Sequence, residues 1–170
     1  MPTAIDGYSA LAQKALVQTD YPTADATMQT AISKVTEKDE AHSAYSSIIY
    51  QKEVYQQDST YTSWSLQKAL DEANTAYNIN PQPIYQHQIA QINYAMGNYQ
   101  QAYQQFIDLT KSNIRNGEMF FEAAQCRTQL GGTTDEVLAL LDSAINVNPD
   151  NGISAPYYLA RGRTLDNAGE

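Results

Sequence analysis

Chemistry in this chain would have to start from its 2 histidines, its 1 cysteine or its adjacent carboxylates. His42 and His87 lie far apart in the sequence. His87 has no second His, Cys or carboxylate at ligand spacing on its own helix, and His42 has only Asp39 and Glu40. Acids suit the first turn of a helix, where backbone N–H groups lack partners. Asp39 and Glu40 therefore read as a solvated helix start, and no metal site is expected. In Asp71-Glu72 and Asp135-Glu136 the two carboxylates of each pair are adjacent and point to different faces of a helix. They read as solvent-facing charges rather than an acid/base pair. Cys126 stands beside Ala123, Ala124 and Leu130, the setting of a small buried apolar residue. A nucleophilic thiol needs a nearby base, and neither histidine is placed by the sequence to supply one. No Ser-His-Asp grouping, phosphate loop or dinucleotide fingerprint is present. The expectation is a protein that is not an enzyme and carries no cofactor.

Bulk properties narrow the partners. The net charge is −9, from 10 Lys+Arg against 19 Asp+Glu, with no basic cluster. A surface of that sign repels phosphate backbones, so nucleic acid is excluded as a partner. No apolar run approaches the roughly 20 residues of a membrane span, and the N-terminus lacks a basic region followed by an apolar core. Richness in Gln, Asn, Thr and Tyr with little Lys suits a bacterial envelope protein whose export signal has been removed; a cytoplasmic location fits as well. The 13 Tyr far outnumber the 3 Phe and 1 Trp, and tyrosine can pack its ring while its hydroxyl reaches water or a partner.

The elements that position these residues are helices throughout. Apolar residues recur at helical spacing in nine segments, and no alternating strand pattern appears. The first runs from Thr3 to Thr19 on Ile5, Tyr8, Ala12 and Ala15, with Leu11 and Leu16 widening the stripe. The second reaches Thr36 on Ala24, Met28, Ala31, Ile32 and Val35, and Pro22 suits its first turn. The third carries Ala41, Ala44, Tyr45, Ile48 and Ile49 and extends toward Val54 and Tyr55; a turn at Gln57–Thr60 follows. The fourth spans Thr62 to Asn78, and Pro81 and Pro83 stop it. The fifth spans Pro83 to Met96, Gly97 turns the chain through a left-handed backbone, and the sixth spans Tyr99 to Ser112. The break at Asn113–Gly117, the Gly131-Gly132 turn with a Thr133 or Thr134 cap, and the stop at Asn146–Pro149 bound the next two. A ninth begins near Ser154, with Tyr158, Leu159, Gly162, Leu165 and Ala168.

The second helices of successive hairpins repeat. Ala24, Ala69, Ala102 and Val137 are equivalent, at offsets of 45, 33 and 35 residues. A period of about 34 with two helices per unit points to a solenoid of stacked hairpins. The larger first offset is one unit plus an insertion of about 11 residues, assigned to a longer third helix and the Gln56 to Ser63 region. Tyr8, Leu11-Ala12, Tyr21, Ala24 and Met28 in the first unit, Ile89-Ala90, Gly97, Tyr99, Ala102 and Phe106 in the third, and Phe120, Ala123-Ala124, Leu130-Gly131, Val137, Leu141, Ala144 and Pro149 in the fourth carry a resemblance to the tetratricopeptide repeat (TPR) family. The resemblance implies an all-α, right-handed α-solenoid of antiparallel hairpins in a single domain. Its units cover 3–38, 39–82, 83–116 and 117–150, with a last helix at 154–168. The Gly169-Glu170 ending reads as mid-repeat sequence, the end of a piece of a longer protein; the alternative reading makes the last helix a terminal cap that covers the final apolar face.

The same resemblance implies that first helices line a concave groove that binds a protein or peptide. The positions projecting into it are Ser9 and Gln13; His87, Gln91 and Tyr94; Phe121, Glu122 and Gln125; and Leu159 and Arg163. Phe121 is expected on the groove wall, exposed. Family members that grip a peptide's terminal carboxylates use Lys, Arg and Asn there, whereas this chain offers mainly Gln, His and Glu. The expected function is a non-enzymatic binding scaffold. The alternative is an assembly or regulatory segment of a larger protein whose activity lies outside this chain.

Overall fold

The computed structural model describes residues 4–56, 58–112, 117–147 and 154–169. Among them every regular element is helical: α1 (Ala4–Val17), α2 (Tyr21–Lys34), α3 (Lys38–Gln51), a π-helical turn at Lys52–Gln56, α4 (Leu66–Ile79), α5 (Pro83–Ala95), α6 (Tyr99–Thr110), α7 (Gly117–Gln129), α8 (Thr134–Val147) and α9 (Ala155–Ala168). The chain divides into two compact units, Met1–Met96 and Gly97–Glu170, and the division falls inside the third expected repeat. The expected stops at 113–116 and at 148–149 lie outside the described residues.

In the first unit α1 packs on α2 and α3, α3 on α4, and α4 on α5. Caps set the starts. The Asp20 carboxylate accepts from the Thr23 N–H at 3.2 Å, and the Ser65 hydroxyl accepts from the Lys68 N–H at 3.1 Å, each satisfying a first-turn donor that has no helical partner. Ala24, Ala31, Ala69, Ala73 and Ala76 are fully buried, which lets hairpin helices approach closely. Tyr21, Met28, Tyr45 and Ile49 fill the space beside them in one continuous core. In the second unit α6 packs on α7, α7 on α8, and α8 on α9. Thr133 begins α8 through a reciprocal cap: its hydroxyl accepts from the Glu136 N–H at 3.3 Å, and its own N–H donates to the Glu136 carboxylate at 2.8 Å. Gly97 and Gly131 take the left-handed backbone, at φ +82° and +72°.

Four expectations are corrected. Leu11 is 60% exposed, because it sits about 100° around the helix from Ala12, beyond the stripe that α2 and α3 cover. The α-helical part of α3 ends at Gln51, so Tyr55 falls on the π-helical turn and is exposed while Lys52 is buried. The start of α4 lies at Leu66, not Thr62: residues 58–65 are non-helical and lay Tyr61 and Trp64 against the core. On α9 the inward aromatic is Tyr157, at 4% exposure, whereas Tyr158 is exposed; the helix is rotated by one residue from the expected register.

Candidate functional site

The expected groove residues sit in two settings. In the first unit, side-chain amides bridge the first helices. Gln13 on α1 donates to the side-chain amide oxygen of Gln51 on α3 at 3.0 Å. Gln88 on α5 accepts from the Ser43 hydroxyl at 2.9 Å and donates to the Ser43 carbonyl and the Ser47 hydroxyl, both at 2.9 Å. What remains open is a cleft of about 180 Å³ between α3 and α5, lined by Ser47, Tyr50, Gln51, Tyr55, Gln88, Gln91 and Ile92. Of the expected residues only Gln91 lines it. Ser9 and Tyr94 are half-buried, and His87 is buried rather than projecting. The reason lies in α5, which buries a second stripe, His87, Ala90 and Asn93, besides Tyr85, Ile89 and Ile92.

The second unit holds a larger cleft, about 350 Å³, within the range of small-ligand and peptide-anchor sites. Phe121, Ala124 and Gln125 of α7 form one wall, and Leu159 and Arg163 of α9 the other. Buried Val137 and Leu141 of α8 form the floor. Four expected residues, Phe121, Gln125, Leu159 and Arg163, thus come together, while Glu122 is half-buried outside the lining. Phe121 is not an exposed wall residue: it is half-buried, with its ring 5.1 Å from that of Tyr157. Gly117 explains how α7 reaches this position. A Cβ there would lie 2.5 Å from the Ala144 carbonyl oxygen and 2.8 Å from Tyr157.

The titratable groups have structural work. Asp25 of α2 accepts from the Trp64 indole N–H at 2.8 Å, from the Tyr61 hydroxyl at 3.2 Å and from the Tyr45 hydroxyl, with the Lys68 ammonium at 3.6 Å. Burial pushes the Asp25 carboxyl upward, but these donors and the Lys68 charge outweigh it and hold it below its usual range. Tyr45 moves the other way, raised by burial and by its bond to the carboxylate. Lys52 is buried, donates to Glu53 at 2.9 Å and to the Tyr61 carbonyl at 3.1 Å, and stands 5.8 Å from the Tyr21 ring centroid. The Tyr21 hydroxyl in turn donates to Asp58 at 3.0 Å. Asp58, Tyr61 and Trp64 are thereby fastened to α2 by charge-assisted bonds, a network that the apolar spacing does not announce. The one available signal was Trp64 beside Tyr61 in an otherwise polar loop.

The other chemically suggestive residues resolve likewise. His42 Nδ1 lies 2.6 Å from the Glu72 carboxylate, and Glu136 joins its cap to an ion pair with Arg127 at 2.6 Å. Asp39 accepts from Asn80 at 2.8 Å and from the Tyr85 hydroxyl at 3.0 Å, tying α3 to the turn before α5. Cys126 is fully buried, and burial, then the nearby Glu122 charge, pushes its thiol up to about 12, far from the thiolate a nucleophile needs.

Paired helices with small residues at their crossings and a cleft along the first helices define a helical-repeat protein. No family model matches the sequence and no curated protein matches it. Solved structures do match. TTC0263, a thermophilic TPR protein in Thermus thermophilus, superposes with a TM-score of 0.73 at 16% identity, over 95% of this chain and 81% of its own. YrrB, a TPR protein with an unusual peptide-binding site, gives 0.65 at 18% identity over 89% and 72%. PcrH from Pseudomonas aeruginosa gives 0.60 at 18% over 80% and 95%. The fold is all-α and is that of tetratricopeptide repeat proteins.

Proposed function

We propose that this protein is a non-enzymatic scaffold that docks a peptide or protein segment in the cleft between α7 and α9. The observation that carries the reading is that cleft: an apolar floor, walls from two first helices, and about 350 Å³ of open volume. Apolar surface gathered in a concavity gains about 25 cal/mol per Å² when a partner covers it, and a concave site buries more of a partner than a flat one. A peptide-binding site on YrrB, which shares the fold, is consistent with it. The repeats on this reading run as units 3–38, 39–82, 83–116 and 117–150, with the helix at 154–168 closing the cleft.

The test is selection of a displayed random-heptapeptide library on the whole chain, followed by titration of the selected peptides against Leu159→Asp. Leu159 is 56% exposed, so the substitution leaves the fold intact while placing a charge on the cleft wall. Selected peptides should lose at least about tenfold in affinity, since a desolvated carboxylate against an apolar anchor costs more than about 1.4 kcal/mol. Equal binding to both proteins, or no enrichment, overturns the reading.

A further inference from the structure

We infer that the α3–α5 cleft of the first unit holds one ring of a neutral sugar, at a site separate from the peptide-docking cleft of α7 and α9. Apart from Ile92, every residue that lines it is Tyr, Gln or Ser. The chain carries a net charge of −9, yet no charged side chain lines this cleft. Lys52 and Glu53, close by in the sequence, pair with each other at 2.9 Å. An anion would meet no cation here, and a metal ion no carboxylate. A polyol would meet amides and hydroxyls, which between them donate and accept as its own hydroxyls do. The volume, about 180 Å³, suits a single ring better than a drug-sized ligand, whose sites begin at about 300 Å³.

The shape favours a compact ligand over an extended chain. Gln88 closes one end: its three bonds to Ser43 and Ser47, each at 2.9 Å, stitch α5 to α3. Tyr55 stands about two turns beyond Ser47, on the π-helical turn at Lys52–Gln56. The wider winding of that turn sends Lys52 into the core and leaves Tyr55 73% exposed at the rim. Turns of this kind are rare and recur at functional sites. Fully buried Ile92 forms the floor. Above it, Gln51 accepts from Gln13 through its side-chain oxygen, so among the described residues both N–H bonds of that amide remain to donate. Ser47 accepts from Gln88 and keeps its own O–H. The Tyr50 and Tyr55 rings meet edge-to-face, with centroids 6.1 Å apart at 86°. An edge contact uses the rim of one ring and one face of the other. A ring face, with its partial negative charge, is thereby left for the C–H face of a pyranose.

The test titrates the whole chain with glucose, galactose, mannose, N-acetylglucosamine, maltose and cellobiose, read by protein amide chemical shifts. At least one sugar should saturate the shifts with a Kd of about 1 to 10 mM, the scale for a ligand of about a dozen heavy atoms. Tyr55→Ala should weaken it about tenfold and Tyr55→Phe less than about twofold, since the ring and not the hydroxyl makes the stack. Gln51→Ala should weaken it about fivefold, the scale of one neutral hydrogen bond. Native Trp64 fluorescence checks that each variant is folded; if Tyr55→Ala is not, Tyr55→Phe and Gln51→Ala carry the test. Leu159→Asp lies in the other unit and should leave sugar binding unchanged, so this inference and the peptide-docking reading fail separately. The inference is overturned if no sugar binds, if Gln51→Ala and the folded Tyr55 variants bind as the parent does, or if Leu159→Asp abolishes binding. It is also overturned if the displayed heptapeptides lose affinity with Tyr55→Ala and none with Leu159→Asp, which would give this cleft to a peptide.

Discussion

The two compact units build the same helix pairs and finish them differently. In the first, the insertion between α3 and α4 folds back on α2, and Trp64, Tyr61 and Tyr45 converge on one carboxylate. Amide bridges from Gln13 and Gln88 then cross between the first helices. In the second unit no comparable bridge crosses from α7 to α9 among the described residues. The face remains a cleft with Leu159 on its wall. Identical hairpin plans thus end differently: polar groups satisfied internally consolidate one unit, and the other keeps an apolar face uncovered.

The sequence supplies a probe for each half. The 1 Trp, Trp64, lies in the first unit and the 1 Cys, Cys126, in the second, so fluorescence and thiol labelling report on them separately. The largest effect should come from Asp25→Ala. It strips three donors of their acceptor, and a buried network broken on one side loses about 3 to 5 kcal/mol. Urea unfolding followed by Trp64 fluorescence should show the lowered midpoint. An unchanged midpoint would mean that the aromatic insertion is not what consolidates the first unit.

Gly117→Ala should come next, at about 1 to 3 kcal/mol, because its methyl group meets the Ala144 backbone and the buried Tyr157 ring. The readout is Cys126. In the parent at pH 8 this thiol should resist a disulfide-exchange reagent until urea unfolds the chain, since it is buried and its ionisation is pushed up to about 12. In the variant labelling should begin at lower urea. Equal protection in both would show that the close approach of α7 to α8 is dispensable.

A smaller effect is expected from pH. Because the folded Asp25 carboxyl lies below its ordinary value of 3.8, its contribution is complete above that value and is lost as pH falls through the folded one. Tyr45 is raised above its ordinary 10.0, so its contribution holds below pH 10 and declines above it, where the unfolded phenol ionises first. Trp64-detected stability should therefore fall at both limits, and Asp25→Asn should flatten the acid limb. An acid limb as steep in Asp25→Asn as in the parent would assign it to other carboxylates. Gln51→Ala should have the least effect, under about 1 kcal/mol, the worth of one half-exposed amide bond. A larger loss would make the amide bridges as important to the first unit as its aromatic cluster.

Much of this was legible beforehand. The offsets of 45, 33 and 35 residues recur as the starts of α2, α4, α6 and α8, because apolar spacing at helical period survives any rearrangement of neighbours. Within the candidate site, Phe121, Gln125, Leu159 and Arg163 followed from position in the repeat, and Cys126 from its apolar surroundings. His87, Tyr158 and the Asp25 network did not follow. A helix sequence specifies an apolar stripe, yet whether a second stripe is also covered, as in α5, depends on what packs there. Likewise Asp25 reads as an ordinary surface acid until Trp64, 39 positions away, donates to it.

By itself, then, the sequence determined the helices and their pairing period, since those depend on local spacing and residue type. Tertiary structure alone decided which polar side chains satisfy one another and which apolar face stays open. Hydrogen bonding and burial are settled by residues distant in the chain, through packing that no local pattern encodes.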